Sequence, residues 1–269
     1  MMDRDISPWL VPVLLAAGVG AAAWYYWSTM EQEATSSPLT QQPAPNLSPE
    51  PEPKSGPQYP MPSSDFVDGA RPELRSLPPL DDSDQYFKLE LADLFGDPIG
   101  ALMADTRVIA RVVATVDNLP RRHVAERIRP VTALSDTFVA ESEGGSLYAI
   151  SAQSYRRYDT LVAIIDNTEI GELSDLYHRY YPLFQKAYVE LGYPDGYFND
   201  RLVQAIDDML AAPEPTGTIY LVRPHVLYEF EDPDLEARSS GQKLMLRMGT
   251  ENAAKVNLKL QQLREAIAE

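Results

Sequence analysis

Hydrophobic and polar positions fall into three regimes along the chain. From Trp9 to Trp27, nineteen consecutive residues carry no charge. A helix of that length spans about 29 Å, close to the roughly 30 Å of bilayer hydrocarbon, so a single transmembrane helix is expected over 9–27. Trp9 at one end and Trp24, Tyr25, Tyr26 and Trp27 at the other put amphipathic rings at interfacial depth. From Ser28 to about Ser76 the chain turns polar, and prolines recur from Pro38 to Pro62. Such a stretch buries too little apolar surface to offset its ordering entropy, which predicts a disordered Pro-rich linker over 28–76. Its reach runs from about 40 Å as coil to roughly 140 Å as polyproline II. Spacer is the favoured reading; a ligand role for its proline runs is the alternative.

From Leu77 onward apolar residues recur at spacings of three and four, which predicts helices. Asp81, Asp82 and Ser83 open one that carries Phe87, Leu91, Leu94 and Phe95, and Gly96-Asp97-Pro98 stops it and opens another. Val108, Val112, Val116 and Leu119 form the next stripe, ended by Pro120. Alternation around Gly144-Gly145 fits a small β-hairpin. Ser151 then caps a helix bearing Tyr158, Val162 and Ile165. The longest stripe runs from Leu173 to Leu191, closed by Gly192, with a kink expected at Pro182. A helix with Phe198, Leu202, Ile206 and Met209 follows, then an isolated strand-like Thr218–Val222. Asp232-Pro233 starts a helix, breaks fall near Ser240-Gly241 and Met248-Gly249, and Val256, Leu260, Leu263 and Ile267 line the last one. The expected fold is mainly α: an α-rich bundle over 77–269 with one small β-hairpin.

Charge decides the direction of the anchor. Arg4 lies on the short N-terminal side, whereas Ser28–Pro53 holds no Lys or Arg, so the positive-inside rule puts residues 1–8 in the cytoplasm and the C-terminal domain in the periplasm. Zero cysteines agree with export. A cleaved signal peptide ending at Ala21-Ala22-Ala23 competes, but Arg4 sits between Asp3 and Asp5 and makes a poor positive start. The expected location is the inner membrane, single-pass, with the bilayer itself as a partner through residues 9–27.

Several segments then carry a likeness. They are Val116-Asp117-Asn118-Leu119-Pro120, the run from Tyr181 to Leu202, Tyr228-Glu229-Phe230 with Asp232-Pro233, and Gly241-Gln242-Lys243 leading to Arg247-Met248-Gly249 and Asn252. On these, the chain resembles the bacterial domain-of-unknown-function family 3014 over about Leu77 to Ala268. The resemblance implies a membrane-anchored envelope protein, and it supplies no active site.

The chemistry-bearing residues narrow the function without naming a reaction. His123, His178 and His225 fall in different elements with no metal-ligand spacing, so no metal and no cofactor is expected. No nucleophile elbow, phosphate loop or dinucleotide fingerprint occurs. Asp207 with Asp208, and Glu229, Glu231, Asp232, Asp234 and Glu236, raise an envelope hydrolase acting on a glycan or peptide with paired carboxylates. Helix capping by Asp232 is the simpler account. Arg107, Arg111, Arg121, Arg122, Arg127 and Arg129 gather within a chain of net charge −17, which predicts a patch for an anionic ligand or an acidic envelope protein, or else internal ion pairing. Nucleic acid is disfavoured as a partner by that net charge and by the expected location. Tyr155, Tyr158, Tyr177, Tyr180, Tyr181, Tyr188, Tyr193 and Tyr197 form either half-buried core or an aromatic groove. The leading expectation is a non-enzymatic interaction or scaffold module.

Overall fold

Helix α1 (Asp84–Phe95) starts where Ser83 folds its hydroxyl onto the Leu80 carbonyl at the end of a 3-10 turn, Leu80–Asp82. In the computed structural model the described residues are 56–61, 77–96, 99, 102–131 and 138–268, all within the unit Pro53–Glu269. The expected membrane helix 9–27 and most of the linker 28–76 lie outside them. Among the described residues no helix is long and apolar enough to cross a membrane.

Helix α2 (Val108–Asn118) has no cap of its own. The Asp84 carboxylate accepts the Arg107 and Val108 N–H groups at 2.6 and 2.7 Å, doing across space what an N-cap residue does locally. Its buried face is Val108, Ile109, Val113, Ala114 and Val116, a broader stripe than the sequence spacing predicted. The next elements are strands β1 (Ala140–Gly144) and β2 (Leu147–Ile150), helices α3 (Ala152–Arg156) and α4 (Asp159–Asp166), the long α5 (Ile170–Glu190), and α6 (Phe198–Leu210). Strands β3 (Tyr220–Val222) and β4 (Glu229–Phe230), the short α7 (Pro233–Glu236) and α8 (Ser240–Ile267) complete the chain. The domain is mainly helical with one small antiparallel sheet.

Two expectations need correction. The predicted hairpin is half of a four-stranded meander, β1-β2-β3-β4, because Tyr148 pairs with Leu221 and Leu221 with Phe230 across successive ladders. β4 is two residues long, too short to show alternation. The single helix expected after Ser151 is two, α3 and α4, with Ser151 accepting the Ser154 N–H as cap of the first. Helix α5 continues through Pro182; packing of Tyr177, Tyr180, Leu183 and Phe184 outweighs the one backbone bond proline removes.

Three clusters make up the interior. The largest joins α1, α2, α5, α6 and the end of α8, with Phe87, Tyr180, Phe184 and Phe198 in ring contact. A second lies under the sheet around Leu221, Phe230 and Leu246. The third is methionine-rich, with Met209, Met245 and Met248 against Val162 and Val256. Six residues of the span read as linker, 56–61, join the first cluster through Tyr59 and Met61.

Helix α8 turns at Gly249, the only non-helical residue inside it, with φ 81° and ψ 162°. A Cβ there would stand 2.9 Å from the Tyr155 ring, so both torsion and space require glycine. Gly241 is held by space alone, its missing Cβ lying 2.7 Å from Met209 Cγ. Gly249→Ala is expected to lose about 2 kcal/mol or more of stability. That is a Tm about 4–8 °C lower for a domain of this size; a calorimetric scan showing no decrease would contradict the assignment.

Burial holds the His178 imidazole below its ordinary 6.5, with Asp175 opposing. The unfolded chain therefore binds the proton more tightly, so His178 contributes stability that is present above 6.5 and lost as pH falls through the depressed folded-state value. Thermal melts from pH 7.5 to 5 should show a steeper acid decline for the native chain than for His178→Gln.

Candidate functional site

Of the arginines expected to form one patch, only Arg111 lies on α2; the others fall in the segments before and after it, and the structure divides them between the two ends of that helix. At the C-terminal end Arg121 donates to Asp117 at 2.8 Å and to the Tyr193 hydroxyl at 2.7 Å. Asp117 is buried, and its other carboxylate oxygen accepts Arg201 Nε at 3.0 Å. A second Arg201 nitrogen bonds the Asp117 carbonyl. Two guanidinium groups and a phenol thus satisfy one buried carboxylate, the condition under which a buried charge is tolerated. Asp117 in turn raises the Arg121 pKa further, against a smaller opposing effect of burial. Arg121 therefore belongs to internal ion pairing.

At the N-terminal end the arrangement differs. Arg111 is spent on backbone carbonyls, those of Thr106, Arg127 and Arg129, and Thr115 adds a bond to the Ile128 carbonyl at 2.9 Å. These bonds lay the segment around the 3-10 turn Glu126–Ile128 along α2 and hold the backbone of Arg127 and Arg129 against Arg111, one helical turn from Arg107. Among the described residues, Arg107, Arg122, Arg127 and Arg129 have no carboxylate at ion-pair distance, and all four are exposed. Arg107, Arg127 and Arg129 form the free basic face; Arg122 stands at the far end of the helix.

The eight tyrosines are divided between the main core and several other places in the domain. Tyr177, Tyr180 and Tyr188 are buried in the main core, where burial above all pushes their hydroxyls up. Neutral at ordinary pH, Tyr177 donates to Asn199 and Tyr180 to Glu90. Tyr193 stacks on Tyr188 with centroids 4.6 Å apart. Tyr181 is half-buried and bonds Gln185, and Tyr197 is partly exposed beside α6. Tyr155 and Tyr158 sit elsewhere, against the sheet and methionine clusters. Pattern alone cannot separate a rim tyrosine from a core one, because both fit an amphipathic stripe.

Four of the acidic candidates, Asp207, Asp208, Asp232 and Glu236, are occupied by structural work. Asp207 pairs with Arg264, and Asp208 accepts the Ser239 hydroxyl. Asp232 caps α7 through the Asp234 N–H. Glu236 takes the Phe230 N–H and Lys243; burial pushes its carboxyl up, but those bonds outweigh it and leave it below its ordinary value.

Sequence reading missed an open cleft of about 950 Å³ at the bend of α8. Ile150, Tyr155, Ile219, Met245 and Met248 supply apolar surface, and Arg156, Asp159, Glu214 and Lys255 supply charge of both signs. Asn252, on the second half of α8, ties the cleft together by donating to Asp159, Met248 and Tyr155. The Gly249 and Asn252 spacing was visible, but nothing in it says that a kink opens a cleft.

The motifs quoted from the sequence meet in space. Gly241 N–H bonds the Leu119 carbonyl, Ser240 N–H that of Arg121, and Arg201 reaches Asp117. No curated protein and no solved structure matches the chain. The family described as "Protein of unknown function (DUF3014)" matches residues 108–264, more than half of the chain and nearly all of the elements above. The chain belongs to that family.

Proposed function

We propose that the chain is a non-enzymatic interaction module of the bacterial envelope, held at the inner membrane by residues 9–27 with its N-terminus cytoplasmic and its folded domain periplasmic. It docks an anionic ligand or the acidic face of an envelope protein on Arg107, Arg127 and Arg129. The observation that carries the reading is the free basic face. A chain of net charge −17 has ample carboxylate to neutralise three more arginines, yet leaves them exposed and without a described carboxylate partner. Guanidinium forks match carboxylate and phosphate oxygens in pairs, and Arg111 gives two of the three a fixed backbone to stand on. The uncharged run 9–27, Arg4 before it and the absence of basic residues over 28–53 support the anchored orientation. A hydrolase using paired carboxylates draws less support, because Asp207, Asp208, Asp232 and Glu236 are each engaged in holding the fold.

Charge reversal tests the reading. The variant Arg107→Glu/Arg127→Glu/Arg129→Glu changes exposed side chains alone and is expected to keep the native Tm within about 2–3 °C. In-cell crosslinking followed by quantitative copurification should recover at least about tenfold less of whatever binds the native chain, the loss expected for several charge-assisted contacts. Equal recovery from both would overturn the arginine face. Alkaline phosphatase fused after Glu269 should be active; activity confined to a cytosolic reporter at the same position would overturn the orientation.

A further inference from the structure

The first turn of α6 holds a short piece of the chain's own Pro-rich span. The Asp200 carboxylate accepts the Gln58 N–H at 3.0 Å through one oxygen and the Tyr59 N–H at 2.8 Å through the other. Asn199, with no exposed surface, donates to the Tyr59 carbonyl at 3.0 Å and to the Ile267 carbonyl at 2.8 Å. Its own oxygen accepts the Tyr177 hydroxyl at 3.0 Å, which fixes the orientation of the amide. Tyr59 and Met61 pack against the main core on either side of Pro60.

The match between seat and segment lies in the backbone. Residues 57–60 read Pro-Gln-Tyr-Pro. Proline has no N–H, so this stretch owns two backbone donors, those of Gln58 and Tyr59, and Asp200 takes both. Pro60 also restricts Tyr59 to extended torsions, so the segment arrives with much of its ordering already done. A carboxylate at a helix N-terminus ordinarily satisfies that helix's own N–H groups. Here it is turned outward onto another segment, between an arginine committed to Asp117 and a buried amide committed to the C-terminal helix.

We propose that Asn199 and Asp200 form a peptide-recognition seat for extended Pro-x-x-Pro segments, filled in cis by Pro57–Pro60 as a displaceable strap. The seat reads two successive N–H groups and the following carbonyl, with an apolar place for the side chain before the second proline. It is separate from the arginine face and does not rest on it. The occupant is this chain's own segment, and a partner chain presenting the same backbone pattern competes for the same bonds.

Two measurements test this on the full chain in nonionic detergent. In the native protein, the Gln58 and Tyr59 amides should exchange hydrogen at least about tenfold more slowly than in the unfolded chain, and Asp200→Asn should remove that protection. Exchange at unfolded rates in the native chain would overturn the proposal. Second, the variant Pro57→Gly/Tyr59→Gly/Pro60→Gly empties the seat without touching it. A fluorescein-labelled peptide with the sequence of residues 56–61 should bind this variant saturably by anisotropy. It should bind the native chain at least about tenfold more weakly, because the cis segment holds the seat at high effective concentration. Adding Asp200→Asn to the emptied variant should weaken binding by about tenfold or more. No saturable binding to an emptied variant of native circular dichroism, or equal binding to native and emptied chains, would overturn the proposal.

Discussion

Three consecutive side chains at the start of α6 tie together parts of the chain that sequence holds far apart. Asn199 fastens the end of α8 to α5 through the Ile267 carbonyl and the Tyr177 hydroxyl. Asp200 fastens residues 58 and 59, and Arg201 fastens the end of α2 through Asp117. Each bond runs to a partner more than twenty residues away, so together they fix where whole helices sit rather than how one helix forms. Hydrophobic burial supplies most of the free energy of such a fold but is indifferent to small slides of one helix along another. Buried polar groups are not, since each leaves a donor or acceptor unmatched when displaced. The aromatic interior around Phe184 and Phe198 supplies cohesion, and the polar triplet supplies register.

Seen this way, the distribution of arginine follows a rule. Those that the register needs, Arg121 and Arg201 on Asp117, are paired with buried charge, where losing one partner strands the other. Arg111 works through backbone carbonyls instead, so its charge is not neutralised by a carboxylate even though its hydrogen bonds are used. Among the described residues, its neighbours Arg107, Arg127 and Arg129 have no carboxylate at ion-pair distance. The basic face is therefore local, at one end of one helix.

Most of the helices were legible in the sequence because their evidence is local: Ser151, Asp232 and Gly192 each mark an end by a torsion or a cap within a few residues. The turn at Gly249 was legible for the same reason. The sheet was not, because β3 and β4 become strands only through each other, and two or three residues have no period to read. The cap on α2 was invisible too: Asp84 lies 24 positions before Val108. The arginine cluster was visible as composition, yet its division into paired and free members depends on where Asp117 and two carbonyls fall. The tyrosines misled for a related reason, since burial of Tyr180 and exposure of Tyr197 are decided by neighbours on α1 and α6.

Proline richness was the least reliable guide, and its failure at 56–61 has a physical content. Proline argues against helix and sheet because it removes donors; it does not argue against docking, and it lowers the entropy lost when an extended segment is bound. Pro57 and Pro60 leave two N–H groups that one carboxylate can satisfy completely. Under the anchored reading this moves the point of suspension. A leash ending at Leu77 would reach about 40 to 140 Å, whereas one ending at residue 56 keeps about 28 residues and reaches about 30 Å as coil or about 90 Å as polyproline II. The domain would then hang from the first turn of α6, and any pull along the leash would bear first on the two hydrogen bonds at Asp200. On both proposals the strap and the suspension point would be one feature, so whatever displaced the segment would also lengthen the leash.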